Sequence, residues 1–291
     1  GENMVKIGTY FAYWAQEWKV DYFRYIEKAK KAGFDILEIS SGILSLSDKE
    51  LETLKNAAKE AGLTLTACLG VTKDMDVSSA DEATRRKGID YLKSLFKAMD
   101  KADIRKLGGI IYAYWPCDYS EPVDKPAVRA RSIASVQELA DDAARYGIEL
   151  EMEVVNRFEH FLLNDAKEAV EYVKDVNRPN VKVMLDCFHM NIEEDNMGDA
   201  IRYAGKYLGH FHIGETNRKV PGKGRMPWDE MAQALRDINY KGYVVMEPFV
   251  KMGGGVGSDI KVWRDLSDNA DEAKLDADIA ESVRFVRGKF N

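Results

Sequence analysis

The sequence predicts a single-domain α/β protein, a (β/α)8 TIM barrel that spans residues 1–291. Short apolar runs alternate eight times with helix-length segments, and crossovers of that length join parallel strands. Eight such units imply a sheet closed into a barrel. With 291 residues and 45% hydrophobic content, the chain can bury one large core without a second domain. Gly1, Glu2 and Asn3 precede Met4, and we interpret them as an added remnant.

Eight segments have the length and the apolar content of strands. They are rich in Val, Ile, Leu, Met and Tyr, and each leads into loop-like sequence. We predict strands at 5–10, 34–39, 63–69, 107–112, 148–154, 181–185, 207–213 and 243–246.

The segments between the strands have helical spacing. Gly33 ends the first helix, and Gly62 lies past the end of the second, for which Asp48 is the predicted N-cap. We predict helices at 22–32, 48–61, 81–102, 126–146, 166–173, 197–204, 228–238 and 274–287.

Charge and cysteine content narrow the function classes. The net charge of -7 and a pI near 5.4 disfavour nucleic acid or an anionic membrane as partner. Cys68, Cys117 and Cys187 are odd in number and far apart, which indicates reduced thiols and a cytoplasmic protein. No apolar run approaches the roughly 20 residues needed to span a bilayer, and no signal sequence opens the chain.

Four potential metal ligands close the last four predicted strands: Glu153, Asp186, His212 and Glu247. Chemistry in such barrels sits at the carboxyl ends of the strands, so these side chains are expected to converge. Three carboxylates and one imidazole favour Mn²⁺ or Mg²⁺, with Co²⁺ as a further candidate. Structural zinc would favour paired Cys and His residues, and the sequence has no such pairs.

Glu153 and Glu247 come from strands five and eight, far enough apart to flank a bound substrate. A metal that chelates a carbonyl oxygen and the neighbouring hydroxyl acts as a Lewis acid on the carbon between them. A carboxylate on each face of a carbon is the arrangement needed to remove a proton on one face and return it on the other.

Longer motifs around these residues resemble the ketose 3-epimerases, the D-tagatose and D-psicose (D-allulose) 3-epimerases of the xylose isomerase-like barrel superfamily. The resemblance rests on four motifs. The first two are Glu-Val-Val-Asn-Arg-Phe-Glu at 153–159 and Val-Met-Leu-Asp-Cys-Phe-His-Met at 183–190, which lies within the matching stretch 180–195. The others are Gly-His-Phe-His-Ile-Gly-Glu-Thr-Asn-Arg at 209–218, where the match continues to 225, and Val-Met-Glu-Pro-Phe-Val at 245–250. It runs from 10–14 to 257–266, nearly end to end.

The resemblance implies roles for nine residues. Glu153, Asp186, His212 and Glu247 would bind Mn²⁺, and the two glutamates would exchange the C3 proton of a ketose through a cis-enediolate. The substrate contacts it implies are hydrogen bonds to the oxygens around C1 to C3 from Glu159, His189 and Arg218, and apolar walls formed by Tyr10 and Trp115. We also expect a homo-oligomer, a dimer or a tetramer.

The first half of the chain departs from the family pattern. Cys-Leu-Gly-Val at 68–71 follows strand three, Ser-Ser-Gly-Ile-Leu at 40–44 follows strand two, and Ile213 replaces a threonine after the metal histidine. Because these loops line the far end of the sugar site in the family, the preferred ketose stays open.

Other polar residues have structural interpretations. We predict that Glu38 and His210 are structural and that His160 is a loop residue. By alternation Glu151 points into the barrel one layer below Glu153, paired first with Lys182 or second with His210. The glycine-rich segment 252–257 is interpreted as a turn and not a phosphate cradle.

Together these features predict an enzyme that epimerises a free ketohexose or ketopentose at C3. An aldose–ketose isomerase or a sugar-phosphate 3-epimerase on the same barrel remains open. A metal-dependent endonuclease is disfavoured by the net charge of -7 and by only four histidines. A catalytically silent sugar-binding barrel is disfavoured by the two flanking glutamates.

Overall fold

Eight parallel strands close into one barrel in the computed structural model, which describes residues 4–291. The strands follow chain order around the ring, and β8 pairs back with β1. The predicted single-domain (β/α)8 barrel is therefore confirmed. The interpretation of residues 1–3 as an added remnant lies outside the described residues.

Each predicted strand overlaps an observed one, with ends that differ by up to two residues. The strands are β1 (Lys6–Tyr10), β2 (Ile36–Ile39), β3 (Thr64–Gly70), β4 (Lys106–Ile110), β5 (Glu149–Glu153), β6 (Val181–Asp186), β7 (Leu208–Ile213) and β8 (Tyr243–Met246).

The eight predicted helices are all present, together with two short ones that follow β6 and β8. The helices are α1 (Tyr22–Ala32), α2 (Asp48–Glu60), α3 (Glu82–Lys101), α4 (Lys125–Ala144), α5 (Ala166–Val176), α6 (Cys187–Glu193), α7 (Met197–Ala204), α8 (Trp228–Asp237), α9 (Gly254–Ile260) and α10 (Glu272–Phe290). No helix within 4–291 is long and apolar enough to cross a membrane.

Two local predictions need correction. The N-cap of α2 is Ser47 and not Asp48, because Ser47 and Glu50 form a reciprocal capping box, with each side chain accepting from the other's backbone N–H at 3.1 Å. The glycine-rich segment turns at Gly253 and Gly254, where φ is 88° and 71°, but then starts the helix α9.

A register shift between β6 and β7 helps to build the rim of the barrel. The shift falls between Val183 and Met184 and leaves Asp186 directly beside His212. Laterally paired residues of adjacent parallel strands point to the same side, so these two side chains project together.

Glu151 lies inside the barrel with no exposed surface, as the alternation of β5 predicted. The predicted ion pair between Glu151 and Lys182 is wrong. Lys182 is the lateral neighbour of Glu151 on β6, yet it makes no ion pair within residues 4–291. The cation is Lys106 of β4, whose Nζ lies 3.2 Å from Glu151 Oε1. The second choice, His210, is in contact, with Nδ1 3.4 Å from Glu151 Oε2.

Gly108 explains how Lys106 reaches this carboxylate. Gly108 is the lateral neighbour of Glu151 on β4, and it has no side chain that would separate Glu151 from Lys106 one layer below. Lys106 Nζ also donates to the Gly209 carbonyl at 2.8 Å. Burial raises the pKa of Glu151 well above its usual value, and Lys106 opposes that shift.

This pair predicts a stability effect. Lys106→Met should lower the free energy of unfolding by about 3 kcal/mol, because removing one partner of a buried ion pair leaves the other uncompensated. Lys182→Met is the matched control on the other neighbouring strand and should cost less than about 1 kcal/mol. Urea denaturation of both variants measures the difference, and equal losses would show that Lys106 does not neutralise Glu151.

Candidate active site

The four predicted metal ligands meet at the carboxyl-terminal rim of the barrel. Glu153 and Asp186 end β5 and β6, His212 is next to last in β7, and Glu247 directly follows β8. Each offers one ligand atom, and these atoms all lie within 4.8 Å of one another. All four residues are buried. Three carboxylate oxygens and one imidazole nitrogen suit a hard divalent cation.

The orientation of His212 also fits a metal. Its Nε2 donates to Glu38 Oε1 at 2.5 Å, which leaves Nδ1 as the ring nitrogen that can ligate a cation. Nδ1 is buried, has no hydrogen-bond partner in the described part of the chain, and lies 3.5 Å from Glu247 Oε2. A buried polar atom without a partner is costly, and a cation among the four ligands would satisfy it.

Glu38 does more than the sequence indicated. Its buried carboxylate holds the ligand His212 and also accepts from His210 Nε2 at 2.7 Å and Thr66 Oγ1 at 2.8 Å. Burial would raise the pKa of Glu38, but the two imidazoles hold it well below its usual value. Cys68 lies within reach of Glu38 and His212, but these hydrogen bonds already occupy the carboxylate.

Crowding of negative charge is the main electrostatic feature of the site. Burial raises the pKa of Glu153 well above its usual value, and the carboxylate of Glu247 raises it further. Burial acts in the same direction on Asp186, but Arg218, His189 and His212 together outweigh it, and the pKa of Asp186 is lowered. A divalent cation would relieve the same repulsion.

Arg218 is buried between the carboxylates and an aromatic ring. Its Nη1 donates to Asp186 Oδ2 at 3.1 Å and Glu247 Oε1 at 3.2 Å. The guanidinium lies 3.8 Å above the centre of the Phe188 ring. The backbone φ of Arg218 is 72°, which is strained for a residue with a side chain and typical of functional positions.

The loop that holds Arg218 is organised by Glu215, which sequence reasoning missed. This fully buried carboxylate accepts from the backbone N–H groups of Gly222 at 2.6 Å and Met226 at 3.1 Å, and from Trp228 Nε1 at 3.2 Å. The backbone N–H of Arg218 donates to the Glu215 carbonyl. The available sequence signal was an acidic residue three positions after the metal histidine.

Glu159, His189 and Trp115 form one hydrogen-bonded group beside the ligands. Trp115 Nε1 donates to Glu159 Oε1 at 2.9 Å, and Asn156 Nδ2 donates to Glu159 Oε2 at 2.7 Å. His189 Nδ1 accepts from the Asn156 backbone N–H at 3.0 Å, so its Nε2 carries the proton and points toward Glu153, 3.7 Å away. Asn156 was not predicted from the sequence.

Two adjoining cavities open above the ligand cluster. The inner one, of about 50 Å³, is lined by seven of the nine predicted site residues, which are Tyr10, Trp115, Glu153, Glu159, His189, Arg218 and Glu247. Asp186 and His212 lie behind this lining with no exposed surface. The outer cavity, of about 440 Å³, shares residues with the inner one and leads to solvent. The structure therefore brings all nine predicted residues together.

The two other histidines lie outside the lining of both cavities. His210 contacts Glu38 and Glu151 inside the barrel. His160 lies in the loop after β5, as predicted, but it is buried and stacks on Phe161 at 4.5 Å. Burial lowers the pKa of His160 to about 4.

Comparison with known proteins finds relatives over nearly the whole chain. A family model described as a xylose isomerase-like TIM barrel matches residues 26–274. A D-psicose 3-epimerase of Agrobacterium fabrum is 54% identical over 284 residues, covering 97% of this chain and 98% of the relative. A D-psicose 3-epimerase of Ruminiclostridium cellulolyticum is 51% identical, covering 97% of each chain.

Solved structures agree with these relatives. A crystal structure of D-psicose 3-epimerase in the presence of D-fructose superposes with a TM-score of 0.97 at 53% identity, covering 98% of this chain and 99% of that one. Both the sequence and the fold match over nearly the full length. The chain therefore belongs to the ketose 3-epimerases of the xylose isomerase-like TIM barrel family.

Proposed function

We propose that this protein is a metal-dependent epimerase that inverts C3 of a free ketose, interconverting sugars such as D-fructose and D-psicose. The observation that carries the proposal is the pair Glu153 and Glu247, which both line the inner cavity and both belong to the ligand cluster. Relatives about half identical to this chain are named for this activity.

Glu153, Asp186, His212 and Glu247 would hold Mn²⁺, with Co²⁺ or Mg²⁺ as further candidates. The bound cation would act as a Lewis acid toward the sugar carbonyl and its neighbouring hydroxyl. The unpartnered Nδ1 of His212 and the crowded carboxylates support this assignment.

The two glutamates would exchange the proton. One takes the C3 proton, leaving a cis-enediolate across C2 and C3, and the other delivers a proton to the opposite face. Reversal exchanges the two roles, so one pair serves both directions.

Glu159, His189 and Arg218 would hold the sugar oxygens around C1 to C3. His189 offers an Nε2 proton and Arg218 a buried Nε–H that has no partner in the described chain. Tyr10 and Trp115 would form the walls, and burial of apolar area there would exclude water from the enediolate.

Charges around the outer cavity favour a free sugar over a sugar phosphate. Asp118 and Asp259 line this cavity, and its one lining lysine, Lys73, is already bound to Asp118 at 2.6 Å and Ser120 at 3.0 Å. In the glycine-rich segment, the backbone N–H of Val256 donates to the Gln16 carbonyl at 3.0 Å. A phosphate would find carboxylates and occupied donors.

We also propose a cytoplasmic homo-oligomer, a dimer or tetramer. All three cysteines are free thiols. Phe158, beside the substrate-binding Glu159, is 72% exposed, and Tyr119 and Ile192 are exposed nearby. An exposed apolar patch beside an active site is typical of a surface covered by another subunit.

Metal removal is the first test of the proposal. Dialysis against EDTA should abolish conversion of D-fructose to D-psicose, because the Lewis acid is lost, and added Mn²⁺ or Co²⁺ should restore it. HPLC of the sugars measures the conversion. Full activity in a preparation verified as metal-free would exclude the proposed chemistry.

Replacing either proton-exchanging residue should greatly reduce the rate of epimerisation. Glu153→Gln and Glu247→Gln should each lower kcat at least about a hundredfold, the lower bound for removing a general base. Glu151→Gln, on the same strand but off the cluster, is the matched control and should keep most activity. In D₂O the wild-type enzyme should place deuterium only at C3, as read by NMR. Label at C1 would instead indicate an aldose–ketose isomerase.

A panel of phosphorylated and free ketoses tests the substrate class. D-fructose, D-psicose, D-tagatose and D-ribulose should each exceed their phosphate esters in kcat/KM, since the outer cavity presents carboxylates to a phosphate. A strong preference for the esters would identify a sugar-phosphate 3-epimerase.

A further inference from the structure

The outer cavity is larger than one ketose requires. It has a volume of about 440 Å³, against about 50 Å³ for the inner cavity. The inner cavity lies among the ligands, so the reacting end of a sugar would occupy it. The outer cavity is almost nine times as large as the inner one, which leaves room beyond C4 to C6 of a ketohexose.

A neck connects the two cavities. The residues that line both are Tyr10, Trp18, Leu69, Gly70 and Trp115. Gly70 packs closely against Trp115 in this neck, since an added Cβ would lie 2.8 Å from the Trp115 side chain. A substituent next to the reacting carbon would lie against Gly70 and Trp115, whereas a substituent at the far end of the carbon chain would lie in the outer cavity.

The walls of the outer cavity combine aromatic faces with fixed polar groups. Trp18, Tyr114 and Trp115 supply the aromatic surface. Trp18 Nε1 donates to Asp259 Oδ2 at 2.7 Å, and the Tyr114 hydroxyl donates to Asp118 Oδ1 at 2.9 Å. Each carboxylate is therefore held in place and keeps capacity for further hydrogen bonds.

Hydroxyl groups extend this polar lining. Ser40, Ser41 and Thr72 line the same cavity, and Ser40 and Ser41 belong to the segment that departs from the family pattern. Sugars present apolar C–H faces and outward hydroxyls, so aromatic rings beside serines and aspartates complement a second sugar ring.

We propose that the outer cavity is a second sugar subsite, and that the enzyme also epimerises ketoses that carry a glycosyl group on the C6 oxygen. The inference rests on the proposed C3 epimerase function. The reaction is unchanged: a proton leaves C3 and a proton returns on the opposite face. The glycosidic bond stays intact, and the product is the C3 epimer of the same disaccharide.

Two disaccharides test the geometry on the metal-loaded enzyme. Isomaltulose carries glucose on O6 of D-fructose, and lactulose carries galactose on O4. Isomaltulose should be epimerised with a kcat/KM within about tenfold of that of D-fructose, and lactulose should be at least about a hundredfold poorer because its branch meets the neck. NMR of the products identifies the epimerised carbon.

Variants in the outer cavity separate the subsite from the chemistry. Asp118→Ala should lower kcat/KM for isomaltulose about fivefold, the worth of one hydrogen bond, and leave D-fructose unchanged. Thr72→Trp, which fills the cavity from an exposed position, should block isomaltulose more strongly. Asp175→Ala, a surface ion-pair residue away from the cavity, is the control and should change neither substrate.

The outcomes distinguish this inference from the function on which it rests. Turnover of D-fructose without turnover of isomaltulose overturns the inference alone, and so does competitive inhibition by isomaltulose without epimerisation. Failure of D-fructose itself contradicts the proposed function. In that case calorimetric titration with isomaltulose still tests the subsite, and absence of binding overturns it.

Discussion

Three carboxylates lie buried against one another at the mouth of the barrel, and the repulsion between them determines how the residues around them are arranged. Glu153, Asp186 and Glu247 repel, and burial removes the water that would screen them. Arg218 offsets this repulsion, since its Nη1 is paired with both Asp186 and Glu247. The strained backbone of Arg218, its stacking on Phe188 and the loop pinned by Glu215 all keep that cation in place.

The barrel interior continues this arrangement toward the opposite end. Glu38 is hydrogen-bonded to both His212 and His210. His210 in turn contacts Glu151, and Glu151 forms an ion pair with Lys106. Barrels usually fill this space with branched apolar side chains. Here alternating acidic and basic groups replace part of that packing. Their contacts fix the orientation of the histidines, and each buried charge carries a desolvation cost that its neighbours in the series offset.

Most of the fold and the ligand set could be predicted because both follow local rules. Strand periodicity fixes which residues face inward, and the parallel barrel brings strand ends to one rim, so Glu153 and Asp186 had to converge. The contacts of Glu38 depend on which side chains reach it across the barrel, and no local pattern encodes that. The partner of Glu151 was decided by a missing side chain at Gly108. The helix α6 spans only seven residues, too few for a periodic signal.

The two halves of the chain contribute different parts of the site. All four ligands and the residues proposed to grip the reacting carbons lie in 153–247, whereas the residues that line the outer cavity lie in 10–118, with Asp259 as the exception. Under the proposed function, reaction chemistry and substrate choice would therefore reside in different stretches of sequence, although Glu38 links them. Sequence changes in the loops after β1 to β4 can alter which sugar is accepted, while the residues proposed to transfer the proton stay the same. Such a layout lets one ancestral barrel diversify its substrates without evolving its chemistry anew, and it tells an engineer which half to randomise.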